Sequence, residues 1–185
     1  MYSQQEALKS LLDHTPVDSD QQEVKQFIVE FVRNNPAYWS RANLAGHLTG
    51  SAWITDVRRE RAVLLHHKKL AKWLQPGGHI DADDADLAQA SLREAREETG
   101  LVNLTLAQPG IFDLDVHRIP ARASEREHWH LDVRFWFISA DESLVLSHES
   151  NALSWLSRSE IIQLTEEESV LRMVRKSLVT QPISV

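Results

Sequence analysis

The stretch from Gly77 to Leu101 limits what this chain can fold into more than any other part of it. Its second half, Asp86 to Glu98, reads as a single helix. Asp81, Asp83, Asp84 and Asp86 set acidic, cap-competent residues at the positive end of the helix dipole, and Gly100 supplies the stop. Leu87, Ala90, Ser91 and Ala95 recur at helical spacing as a modest inner stripe. Residues three and four apart share a helix face, so Glu94, Glu97 and Glu98 project together. Three carboxylates on one face repel one another. Arg93 and Arg96 offset part of that repulsion, and a divalent cation would offset more; hard cations such as magnesium prefer carboxylate oxygens.

Composition narrows the function classes. The 185 residues suit one domain with an extension, and 42% hydrophobic content supports a core. A net charge of −7 argues against a general nucleic-acid binder or a membrane-surface binder. There is no cysteine, which excludes disulfides, thiolate zinc sites and cysteine nucleophiles. No apolar run approaches the roughly 20 residues of a bilayer span. Met1 to Glu6 lacks the parts of a signal peptide, so a cytoplasmic location is expected.

Along the chain, Ser3 to His14 reads as a helix with Ser3 and Glu6 at capping-box spacing and Leu8, Leu11 and Leu12 on its apolar side. Asp20 to Asn34 is a second helix. Its stripe of Val24, Phe27, Ile28, Phe31 and Val32 must pack on the rest of the chain or on a second copy, so a homodimer is one expectation. Leu48 to Thr55 and Arg61 to His66 read as strands. Lys68, Lys69 and Lys72 precede Pro76-Gly77-Gly78, where glycines let backbone approach a ligand. Val102 to Leu106 reads as a strand. Ile111 to His117 and Trp129 to Phe137 alternate apolar and polar residues, which predicts two paired strands. Placing His117 opposite His128 and Asp115 opposite His130 would set Asp113 against Asp132, a like-charge pair that needs Arg134 or a cation between. Leu144 to Leu146 is expected to extend the sheet. Ser159 to Gln163 and Thr165 to Thr180 read as helical, the latter with Thr165 and Glu168 as a capping box, and 181–185 as a loose tail.

Arg93-Glu94-Ala95-Arg96-Glu97-Glu98-Thr99-Gly100-Leu101, with Pro76-Gly77-Gly78 upstream, resembles the signature of Nudix hydrolases, G-x5-E-x7-R-E-U-x-E-E-x-G-U with U a bulky aliphatic residue. Small Ala95 fills the first U position. Gly78 to Arg93 is one residue longer than the pattern, and Asp84 stands nearest to its first glutamate. Glu149 to Leu156, with Trp155-Leu156, resembles the segment before the last Nudix helix. The resemblance spans about Gly46 to Leu164. It implies an α/β fold, the Nudix α/β/α sandwich with a mixed sheet, with residues 1–45 as an N-terminal helical extension and 46–185 as the Nudix domain.

It also implies an activity: hydrolysis of a phosphoanhydride in a nucleoside-diphosphate-linked or related diphosphate substrate. Magnesium, or manganese, is the implied cofactor, with Glu94, Glu97, Glu98 and the Gly77 carbonyl as ligands. Glu97 and Glu98 are the family-based choices for general base, with Glu125, Glu127, Asp132 and Glu149 left open. Arg93 stands four residues before Glu97, the spacing of an orienting ion pair. Lys72, His79, His128, His130 and Asp132 are candidate substrate contacts. Spacing of two along a strand points His128, His130 and Asp132 the same way, toward phosphate or a second, softer metal. The competing account of those side chains is a cross-strand network that sets register. The alternative function is an inactive nucleotide-binding or regulatory module, against which the intact glutamates speak. Isoprenoid diphosphate isomerase chemistry is rejected for want of a cysteine, and RNA decapping is disfavoured by the acidic balance. His117 and Arg118 stand where ADP-ribose and diadenosine-polyphosphate hydrolases carry proline and tyrosine, so neither subfamily is marked.

Overall fold

The structure is a computed structural model that describes residues 3–121 and 126–179. In chain order the elements are α1 (Gln4–Asp13), α2 (Ser19–Asn34), β1 (Gly46–Asp56), β2 (Arg61–His67), β3 (Lys72–Leu74), β4 (Gly77–His79), α3 (Leu87–Thr99), β5 (Leu104–Leu106), β6 (Asp113–Ile119), β7 (His128–Ser139), β8 (Ser150–Ser157), α4 (Arg158–Leu164) and α5 (Glu168–Ser177). They gather into two compact units. The first comprises Met1–Ser51, Gly77–Leu92 and Pro109–Phe135; the second comprises Ala52–Pro76, Arg93–Gln108 and Trp136–Val185. The continuous elements β1, α3 and β7 each run through both.

In the first unit, β1 pairs antiparallel with β4 through Thr49↔His79, Gly50↔Gly78 and Ser51↔Gly77. A Cβ on Gly77 would meet the Cα and Cβ of Ser51 at 2.8 Å, so only glycine fits this close approach. Strands β6 and β7 pair as expected, but in a different register: His117 faces His130, Asp115 faces Asp132, and Asp113 faces Arg134. The strand continues to Ile119 opposite His128, so the connecting loop is shorter than the alternation suggested. The contacts of β1 and β7 follow the same chain direction, from Trp129 N–H donating to Ala45 O to the Thr49 and Ser51 hydroxyls donating to Asp132. A pair running that way beside antiparallel ones makes the sheet mixed.

The two N-terminal helices belong to this unit. The α1 capping box is formed as the sequence predicts, with Ser3 Oγ accepting from Glu6 N–H and the Glu6 carboxylate accepting from Ser3 N–H. Helix α2 packs on β6. Its buried face is Gln21, Ile28, Val29 and Val32, rotated from the expected stripe. Phe27 is 43% exposed and meets Trp129 edge to face at 6.0 Å. Lys25 Nζ donates to the carbonyls of Leu12 and His14 and closes the end of α1. The His14 ring in turn donates to Ile111 O at 3.0 Å, just before β6.

In the second unit, β2 lies between β3 and β8, and β5 pairs with the end of β7. Buried Trp53, Ile54, Val63, Leu64, Leu65 and Phe137 form its core with Ile161, Val170, Met173 and Val174 from α4 and α5. Trp53 Nε1 donates to Ser177 Oγ at 2.7 Å, which pins α5. The capping box at this end is Ser157 with Glu160, opening α4. The expected Thr165 cap is absent: Thr165 closes α4, and its hydroxyl accepts from Glu167 N–H, so α5 starts only at Glu168. Leu144 to Leu146 forms no strand; Val145 N–H donates to Thr99 O instead. The tail 181–185 lies outside the described residues. Among the described residues no helix is long and apolar enough to cross a membrane.

Because Ala7, Leu11, Ile28 and Val32 are fully buried, deleting residues 1–35 will expose apolar surface, each large side chain being worth roughly 1.5–3 kcal/mol. The truncated chain is expected to melt at lower temperature or to aggregate, read by circular dichroism and light scattering. Unchanged melting and mass would contradict this packing.

Candidate functional site

Helix α3 forms where the sequence predicts it. Leu87, Ala90, Ser91 and Ala95 are all buried, so the small inner stripe lets the helix sit close to its neighbours. Asp86 Oδ1 accepts from Gln89 N–H at 2.8 Å and caps the first turn. Asp84, nearest to the first glutamate of the signature, accepts from Asp81 N–H at 2.8 Å and folds the loop before the helix. Gly100 ends it at φ +73°, a conformation that L side chains adopt only with strain.

The carboxylates differ in exposure. Glu98 is buried at 7%, the Glu94 side chain is largely covered, and the Glu97 side chain is 59% exposed. Arg93 Nη1 lies 2.9 Å from Glu94 and 3.4 Å from Glu97, so the predicted i, i+4 pair is formed and a second one joins it. Arg93 is thus a cation that both carboxylates meet. A cluster of hard oxygen donors on one face, one of them buried, suits a magnesium-type ion by donor chemistry. Among the described residues, these glutamates do not form a group of three His, Cys, Asp or Glu side chains gathered closely enough to hold an ion.

The polar faces of β6 and β7 contain two different arrangements. The first is centred on Arg134, whose side chain is 2% exposed. Its Nε is 2.7 Å from Asp132, its Nη1 is 3.3 Å from Asp113 and its Nη2 is 3.3 Å from Asp115. Thr49 and Ser51 donate their hydroxyls to Asp132 Oδ1 at 3.0 and 2.7 Å. Burial alone would lower the pKa of Arg134, but the charges of Asp115, Asp132 and Asp113 raise it further than burial lowers it. Asp132, a candidate substrate contact by sequence, is therefore held by three donors in a buried network.

The second arrangement is made of histidines. His130 has His47 at 4.8 Å, His128 at 5.1 Å, His79 at 5.3 Å and His117 at 5.5 Å between ring centroids. Five of the nine histidines meet here. Burial, reinforced by the neighbouring imidazoles of His47, His117, His79 and His128, pushes the His130 pKa down to about 2, so its ring is neutral at physiological pH. His128 and His130, expected on one strand face, are joined by His79, another candidate substrate contact. His47 carried no signal in the sequence beyond sharing a strand face with Thr49 and Ser51 at a spacing of two.

The remaining predicted residues lie elsewhere. Lys72 pairs with Glu167 at 2.6 Å, both partly exposed. Of the open choices for general base, Glu127 pairs with Arg118 at 2.6 Å, Glu149 lies 3.8 Å from His148, and Glu125 lies outside the described residues. Gly77, a metal-shell residue by resemblance, sits against Ser51 in β4.

Comparison with known proteins agrees with this architecture. The model of the NUDIX domain matches residues 47–176. A NUDIX-family hydrolase from Clostridium perfringens is 25% identical, with 70% of this chain and 97% of that one covered and a TM-score of 0.53. The dihydroneopterin triphosphate pyrophosphohydrolase of E. coli is 16% identical, with 70% and 92% covered and a TM-score of 0.54. The NUDIX domain of Shewanella oneidensis NrtR, solved with ADP ribose, is 20% identical, with 80% and 96% covered and a TM-score of 0.53. The chain belongs to the Nudix hydrolase family. The signature helix is α3, and the two N-terminal helices precede the matched region.

Arg134→Met is expected to destabilise the fold by about 3–5 kcal/mol, because it leaves buried carboxylates without their cation. Urea unfolding of the variant beside the parent reads this. A loss below about 1 kcal/mol would mean that the hydroxyl donors alone hold the aspartates.

Proposed function

We propose that this enzyme hydrolyses a phosphoanhydride bond in a nucleoside-diphosphate-linked or related diphosphate substrate, with Glu94, Glu97 and Glu98 holding magnesium or manganese. The observation that carries the proposal is the carboxylate face of α3, where a buried Glu98 and a covered Glu94 stand beside an exposed Glu97. When bound, the ion supplies charge neutralisation for the diphosphate and a more acidic water. The chain's own residues do the rest. Arg93 fixes the rotamers of Glu94 and Glu97 through its two ion pairs. Glu97, the most exposed of the three, is the side chain best able to reach a water and take its proton. Glu98, shielded by packing, keeps a fixed place in the donor set. Lys72, partly exposed beside Glu167 at the start of α5, is a cation suited to substrate phosphate.

The partner is a small nucleotide or diphosphate, not nucleic acid and not a membrane. The substrates to try first include those that the similar structures name, dihydroneopterin triphosphate and ADP ribose, together with nucleoside triphosphates, nucleotide sugars and dinucleotides. Release of phosphate or monophosphate in the presence of Mg2+ identifies the class. Glu97→Gln keeps side-chain size and removes one charge. It is expected to lower turnover by about 100-fold or more, about 2.7 kcal/mol of barrier, with unchanged circular dichroism. Parent-like turnover in this variant would defeat the assignment, and a parent inert towards the whole panel would favour the binding-module alternative.

A further inference from the structure

We propose that His47, His79 and His130 form a binding site for a first-row transition-metal dication of the zinc type, distinct in its ligand chemistry from the oxygen-rich face of α3. Their ligating nitrogens all lie within 4.8 Å of one another. They come from three strands of the same unit: His47 from β1, His79 from β4 and His130 from β7. A tetrahedral ion with 2.0–2.1 Å bonds needs its nitrogens about 3.3 Å apart. Binding therefore requires the three rings to draw together, by rotation about χ1 and χ2. Imidazole nitrogen suits zinc, copper and nickel, whereas magnesium and calcium prefer oxygen. Three protein ligands leave a fourth position for water or a ligand oxygen, the arrangement of a working rather than a purely structural zinc site.

The surroundings fit such an ion. The His117 ring donates from Nδ1 to Asp115 Oδ2 at 3.1 Å, and the His128 ring donates from Nδ1 to Arg126 O at 2.8 Å. Each bond fixes the tautomer of a ring beside the three ligands, so that when neutral it carries its lone pair on Nε2. His47 is 1% exposed, so an ion held by its ring would be shielded from bulk water.

One neighbour must move. Arg41 Nη2 donates to His79 Nδ1 at 2.5 Å. If Nδ1 takes the metal, its lone pair is no longer available to Arg41. If Nε2 takes the metal, Nδ1 carries the proton and again cannot accept. Either way the Arg41 bond breaks, so the guanidinium competes with the cation for His79, by occupancy and by charge.

The test is titration of the full chain, freed of metal by chelator, with Zn2+ by calorimetry and with Co2+ by visible absorption. The parent is expected to bind stoichiometrically and to give the intense spectrum of tetrahedral Co2+. His79→Ala should weaken Zn2+ binding by about 100-fold or more, with circular dichroism unchanged. Arg41→Ala should tighten it several-fold, and Glu97→Gln should leave it unchanged. Absence of the tetrahedral Co2+ spectrum in the parent would overturn the site, and this holds even if a histidine variant fails to fold. Zn2+ binding unchanged in His79→Ala and in His130→Ala, weakened in Arg41→Ala, or lost in Glu97→Gln would also overturn it.

Discussion

A single buried guanidinium determines how the polar faces of β6 and β7 are used. Asp113, Asp115 and Asp132 lie on neighbouring strands, and two of them are almost wholly shielded from water. Carboxylates in such a place are tolerable only with a counterion and hydrogen bonds for the remaining lone pairs. Arg134 supplies the first with its fork of donors, and Thr49 and Ser51 supply part of the second. Lysine could not replace it, since one ammonium cannot meet three carboxylates in a fixed planar geometry. Once Arg134 must face Asp113, the register of β6 on β7 follows, and with it the pairing of His117 with His130.

The same need for compensation recurs on α3, with a different outcome. There Glu97 lies toward the surface while Glu94 and Glu98 are covered, and Arg93 pairs with two of the three. Exposed ion pairs such as Arg93 with Glu97 contribute less than a fully buried network with internal donors.

Much of this was legible in the sequence. The α3 signature, its stripe and its caps are local, spaced by a turn or less, and were formed as expected from Asp86 to Gly100. The pairing of two alternating strands was legible for the same reason. Their register was not, because alternation alone fits several offsets and the choice depends on Arg134 finding Asp113 across the sheet. His47 was invisible as part of a cluster, since its partners come from segments 32 to 83 residues away. The stripe on α2 pointed to the right helix but the wrong rotation. Phe27 faces outward to meet Trp129 while Val29 turns inward.

The central claim is that water attacks phosphorus in a diphosphate under the control of the α3 carboxylates. It is tested most directly by running the reaction with Mg2+ in 18O-enriched water and weighing both products by mass spectrometry. The account predicts one heavy oxygen in a phosphate or phosphoryl product for each bond broken. Label recovered only in the non-phosphoryl product, which would place cleavage at carbon, would contradict it.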